Sequence, residues 1–263
     1  MSLKEALQKE KDLTKEMTAD MTPKQKLMYF WDYYKWPTLI GLCVVLFIIQ
    51  MVVHYATLKE TVMFATMVNF GATETQKEEF TKAFTDYAEL DTHEYTVDIN
   101  DDITLGIGMS FSTAYSGQEL MAAYIGGEQL DILCTGDNVF FDYAYEGKIL
   151  ALSEYMSPEE IEKYSGRLYY VDETVVEGYA KAIRDMDYDY SAEAPDPDKP
   201  EDMEKPVPVG VFVDDSRWLN QCFSNKDEKA EHYVVGLISN SSRAEFSKKF
   251  IEFLAIREDG EEK

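Results

Sequence analysis

Glu119–Leu152 reads ELMAAYIGGEQLDILCTGDNVFFDYAYEGKILAL. A helix runs from about Gly117 to Ile125, where the Gly126-Gly127 pair stops it. Leu130–Cys134 is a short apolar run of the kind that forms a buried strand, closed by Thr135-Gly136-Asp137. Asn138–Tyr145 is the next helix, ended by Gly147, and Leu150–Tyr155 follows. Helix, strand and helix packed into so short a span is the rhythm of an α/β fold.

The same rhythm extends outward. Upstream, Thr61–Phe70 is a mostly apolar strand ended by Gly71, and Glu74–Leu90 places Phe80, Phe84, Tyr87 and Ala88 near a 3–4 spacing. Glu94–Ile99 alternates as a second strand. Ile103–Phe111, with Gly106 and Gly108, is ambiguous between a strand and the approach to a loop at Ser112–Ser116. Downstream, Ser157-Pro158-Glu159-Glu160 combines a cap, a proline and first-turn acids, which opens a helix. After Tyr169-Tyr170 comes a helix at Thr174–Ile183, then the stretch Asp185–Pro206. That stretch holds four prolines and nine acids, the composition of an exposed, mobile loop. Val207–Val213 and Tyr233–Ile238 are strands, with Asp214-Asp215-Ser216 and a short helix at Trp218–Phe223 between them. Arg243–Ile256 closes as an amphipathic helix. Strands separated by helices predict an α/β domain over 58–263 with a mainly parallel sheet covered on both faces.

Before this domain stands TLIGLCVVLFIIQMVVHYAT, Thr38–Thr57, which lacks any Asp, Glu, Lys or Arg. At the helical rise about 20 residues cross a bilayer core, so residues 37–57 are read as a transmembrane helix in contact with lipid. Seven lysines (Lys4, Lys9, Lys11, Lys15, Lys24, Lys26, Lys35) precede it, and the first basic residue after it is Lys59. That asymmetry predicts a single-pass protein of the cell membrane, N-terminus cytoplasmic and C-terminal domain extracellular. The competing reading is a cleaved signal peptide. The run is longer than a signal core, begins late and lacks an A-x-A site, which favours an uncleaved anchor. Residues 1–36 form the cytoplasmic and interfacial segment. A helix or frayed tail comes first, then Thr22-Pro23 as a helix start, then an aromatic collar from Tyr29 to Trp36.

Residues 1–36 hold seven basic and six acidic residues of the chain's 25 and 50. The remainder therefore has 18 basic and 44 acidic residues, a net of −26. Phosphate neutralisation supplies most nucleic-acid affinity, so this excess excludes nucleic acid as a partner. Cys43 lies in the apolar run, while Cys134 and Cys222 have apolar neighbours and read as buried thiols. No HExxH, C-x-x-C, G-x-S-x-G or P-loop occurs, so neither enzyme activity nor a cofactor is expected. Asp185, Asp187 and Asp189 alternate as in a calcium loop, but Tyr190 and Asp196 stand where Gly and Glu are needed, so no metal is expected.

The Glu119–Leu152 stretch resembles the first lobe of type II periplasmic solute-binding proteins. The matching pieces are Gly126-Gly127, Asp131-Ile132-Leu133, Phe140-Phe141 to Tyr145, Gly147 and Leu150-Ala151-Leu152. Pro206–Ser216 is similar to the crossover strand of that family, and His232–Leu254 to its closing strand and helix. The chain also resembles membrane-anchored, uncharacterised binding-protein-like chains of Gram-positive anaerobes that begin with an FWDYYKW-type segment. Only Ser157–Pro206 occupies the interval of a second lobe. The resemblance therefore implies one lobe on a membrane anchor.

In open α/β sheets ligands sit beyond the carboxyl ends of the strands. That rule selects Asn69, Phe70, Thr113, Thr135, Asp137, Asn138, Phe140 and Asp214, with hydroxyls and amides for polar groups and Phe70 or Phe140 for stacking. The competing reading makes them turn and cap residues. Two functions stay open. One is a membrane-anchored extracytoplasmic binding protein recognising a small solute or an envelope partner. The other is a non-catalytic assembly subunit that contacts a membrane partner through the collar, the anchor and an exposed sheet edge.

Overall fold

The structure, a computed structural model, describes residues 3–19, 21–105, 111–186, 193–223 and 229–257. The chain divides into two compact units, Met1–Leu58 and Lys59–Lys263. The first unit holds helix α1 (Leu3–Thr18) and the 34-residue helix α2 (Pro23–Ala56). α2 begins where Thr22-Pro23 predicts, with the Gln25 side chain accepting from the Thr22 N–H at 2.9 Å. Pro37 lies inside this helix. Within α2, Lys35–Tyr55 is long and apolar enough to cross a membrane, the only such span among the described residues. An anchor and a signal sequence both have that character.

The second unit alternates strand and helix. In chain order it comprises β1 (Glu60–Met67), α3 (Glu74–Tyr87), β2 (Tyr95–Asn100), α4 (Phe111–Gly126), β3 (Ile132–Gly136) and α5 (Asp137–Tyr145). There follow a 3-10 turn at Leu152–Glu154, α6 (Pro158–Glu162), β4 (Leu168–Asp172), α7 (Glu173–Asp185) and a 3-10 turn at Pro200–Asp202. The last elements are β5 (Pro206–Phe212), α8 (Arg217–Cys222), β6 (Tyr233–Leu237) and α9 (Ala244–Leu254). The strands form one sheet in the order β2-β1-β3-β6-β5-β4.

The sheet is mixed, which corrects the expectation of a mainly parallel one. β1 runs parallel to β2 and β3, but β3/β6, β5/β6 and β4/β5 are antiparallel. A strand buried on both faces is continuously apolar in either direction, so runs such as VPVGVFV and YVVGLI carry no mark of polarity. Two local expectations also change. Ser112–Ser116, expected as a loop, belongs to α4, and Leu168–Asp172, which had no assignment, is the edge strand β4.

Both faces of the sheet are covered. On one, Phe80 and Phe84 of α3 meet Phe250 and Phe253 of α9 edge-on or tilted, with centroids 5.0–5.9 Å apart. On the other, Phe140 of α5 lies over the sheet and meets Tyr169 at 5.0 Å. Gly210 and Gly236 make room for that ring. A Cβ at either position would come within 2.9 Å of Phe140 Cζ. Asp131 is entirely buried at the entrance to β3. Arg243 pairs with it at 3.0 Å, and the Phe64 N–H donates to it at 2.7 Å.

Candidate functional site

β5 ends at Phe212 and runs antiparallel to β4 and β6, so the starts of those two strands lie beside its carboxyl end. Four short segments therefore meet there. Arg167 precedes β4, Asp214 and Asp215 follow β5, and His232 precedes β6, while Arg257 follows α9 and bridges to the β5–α8 corner through Ser216. Together with Tyr170 and Phe212 they line a cleft of about 640 Å³. A further wall is formed by Asp198, Pro200 and Glu201.

That wall belongs to the acidic, proline-rich stretch. Composition predicts a mobile loop, yet residues 193–205 are fastened like a strap. The Tyr170 N–H donates to the Pro197 carbonyl at 2.9 Å, and the Glu173 N–H to the Lys205 carbonyl at 3.0 Å. The buried Asp172 carboxylate accepts from the Glu204 N–H at 2.7 Å and the Lys205 N–H at 3.3 Å, as well as from Thr174. Burial pushes the Asp172 carboxyl up, but these hydrogen bonds outweigh it and hold the group below the usual carboxylate range. Asp187 and Asp189, of the alternating acids, lie outside the described residues.

The charged groups in the cleft are positioned by one another. Asp215 accepts from Arg257 Nε at 2.7 Å and sits 3.5 Å from Arg167 Nη1, which also donates to the Ala255 carbonyl at 3.2 Å. Asp214 accepts from the Tyr233 N–H at 2.7 Å and from His232 Nδ1–H at 3.0 Å. The His232 ring packs edge-on against Phe212, centroids 5.3 Å apart. On the strap, a hydrogen bond to Asp196 raises the Asp198 carboxyl above the usual range, with burial and the Asp196 charge adding to it. Burial raises the Tyr170 phenol.

The residues selected from sequence are not gathered in one cavity. Asp214 lines the cleft; most of the others serve the fold. Asn69 adopts φ 64°, donating from Nδ2 to the Leu105 carbonyl and accepting from the Leu105 N–H, both at 2.7 Å. Phe70 is buried between Phe223 and Tyr233. Phe140 belongs to the core described above. The Thr135 hydroxyl is buried, with no hydrogen-bond partner among the described residues. Asp137 accepts from the Asn138 and Glu231 N–H groups, and Asn138 accepts from the Val139 N–H, which closes the turn into α5. A side chain on Gly136 would strike Ala230 and Asn138, so the turn needs glycine there. Thr113 falls in the first turn of α4, and its side chain lies outside the described residues.

Arg167, Tyr170, His232 and Arg257 carry the cleft but were not selected from sequence. Their only trace there is the Asp214-Asp215 pair after one strand and His232 just before another. The two become neighbours only when β6 is known to run antiparallel beside β5. A second hollow, of about 510 Å³, lies between α3 and the edge strand β2, lined by residues that include Lys77, Lys82, Thr96 and Asp98. Among the described residues no group of His, Cys, Asp and Glu is arranged to hold a metal.

No protein-family model and no curated protein matches the chain. Two solved structures are similar at low overlap. One is a domain assigned as the substrate-binding domain of a molybdenum ABC transporter from Clostridium difficile. It is 14% identical with a TM-score of 0.32, over 75% of this chain and 93% of that one. The other is an ABC substrate-binding protein from Listeria monocytogenes in complex with cycloalternan. It is 12% identical with a TM-score of 0.36, over 77% of each chain. At such overlap the likenesses are distant and identify neither ligand nor partner.

Proposed function

We propose that this chain is a membrane-anchored extracytoplasmic binding protein. In this reading the apolar segment of α2 is an uncleaved anchor, and the α/β unit recognises a small solute or an envelope partner in the cleft between the strap and the end of β5. The observation that carries the proposal is the organisation of the cleft. Five ionisable side chains from four separate segments are held in fixed geometry by each other and by backbone groups, around a volume that accepts a small molecule. Among the described residues no group of His, Cys, Asp and Glu that could hold a metal accompanies them, and the proposal is recognition without catalysis.

The test is thermal unfolding of the full chain in lipid nanodiscs against amino acids, amines, sugars and short peptides. A ligand at 100 times its Kd adds about 2.7 kcal/mol of stability. The expected result is a shift with one class of compound that disappears in Asp214→Ala. A folded protein with no shift across the panel overturns it. The assembly reading then takes its place, for which the open edge of β2 is the specific support.

A further inference from the structure

We propose that the cleft takes an organic cation, an ammonium or guanidinium group on a short apolar stem; this rests on the cleft being the binding site. Both arginines in the cleft face Asp215, and Arg167 also donates to a backbone carbonyl, so part of their charge and hydrogen-bonding capacity is already engaged. Among the described residues, the Asp214 carboxylate is hydrogen-bonded by the Tyr233 N–H and the His232 imidazole rather than by an arginine. Across from it the strap presents Asp198 and Glu201. The cleft thus has four carboxylates against two guanidiniums. The crowding is visible at Asp198, whose carboxyl is raised above the usual range by its hydrogen bond to the neighbouring Asp196.

The walls between these carboxylates are apolar. Tyr170 and Phe212 provide ring surface, and Pro200 provides a flat aliphatic face. A cation set against aromatic rings with carboxylates beyond gains from both, whereas an anion is repelled and a neutral polyol leaves the carboxylates uncompensated. The acidic excess of the chain beyond residue 36 acts in the same direction, concentrating cations near the surface. The strap is pinned at Tyr170 and Asp172, so the carboxylates are in place before a ligand arrives.

The experiment is calorimetric titration of the full chain, in nanodiscs of zwitterionic lipid, with n-butylamine, n-butylguanidine and tetramethylammonium. n-Butanol and butyrate serve as neutral and anionic counterparts. The expected result is saturable binding of one or more cations, weakening as salt rises, with no binding of butanol or butyrate. Asp198→Asn with Glu201→Gln should weaken it at least tenfold while unfolding of the free protein is unchanged. Glu119→Gln with Glu177→Gln, which removes as much charge elsewhere, should leave it intact. If butyrate or butanol binds and the cations do not, and Asp214→Ala abolishes that binding, the charge assignment is overturned while the cleft stands. Equal loss in both double variants would mean general attraction to an acidic surface and would overturn the proposal. Absence of binding by every probe overturns it too. If the wider panel also fails, the binding reading goes with it.

Discussion

Asp131 shows how one buried charge can tie distant parts of a chain together. Its carboxylate accepts from the Phe64 N–H of β1, from Ser241 Oγ at 2.6 Å and from Arg243 Nε at 3.1 Å. Arg243 in turn donates to the carbonyls of Thr61 and Gln129. One guanidinium therefore joins the starts of β1 and β3 to the approach to α9. Removing one partner of such a pair leaves the other charge buried and unmatched, at a cost of about 3–5 kcal/mol. Asp131→Ala should lose stability of that order in urea unfolding. Arg243→Lys, which cannot span the same acceptors, should lose a large part of it. A loss under about 1 kcal/mol would mean that the network is solvated rather than structural. In the sequence Asp131 is visible only as the acidic start of an apolar strand. Its role depends on Arg243, more than a hundred residues away, and no local pattern conveys that. Asn69 and Phe140 are tied into the fold in a related way. Strand ends recruit polar and aromatic side chains to close the fold as readily as to bind ligands.

At the scale of elements, two contacts are open to test. The strap is held at one end by Asp172, so Asp172→Ala should release residues 193–205 and leave their N–H groups to water. The expected cost is about 1–3 kcal/mol, with faster cleavage by a glutamate-specific endoproteinase after Glu201 and Glu204. Unchanged cleavage would show that Tyr170 and the prolines hold the strap alone. At α6, Glu160 accepts from Lys248 and from the Ser157 N–H, and these lower its carboxyl to about 2. A folded pKa below the unfolded value stabilises fully above pH about 4.5, and the contribution is lost as pH falls towards 2. Amide exchange in α6 should accelerate across that window in the native protein and show no such step in Glu160→Gln. The helix start itself was legible, because Ser-Pro-Glu-Glu contains every part of a capping box. Strands β1, β3, β5 and β6 were legible as apolar runs. Their directions were not, since direction follows from which strands become neighbours, and β4 was hidden because its two tyrosines and closing aspartate do not form an apolar run.

The whole molecule combines an apolar helix with an acidic α/β unit. The helix was the plainest feature of the sequence, since a charge-free run of that length has few alternatives. The cleft was the least legible, because it draws on residues from 167 to 257 that have no common spacing. The central claim is that this cleft, and not the sheet edge at β2, is where the protein meets its ligand. Hydrogen exchange of the full chain in nanodiscs, with and without the best compound from the thermal panel, tests it most directly. The account predicts slowed exchange confined to 167–172, 197–205, 212–217 and 232–234. Slowed exchange along Tyr95–Asn100 with none at the strap would contradict it and place recognition at the open edge of the sheet.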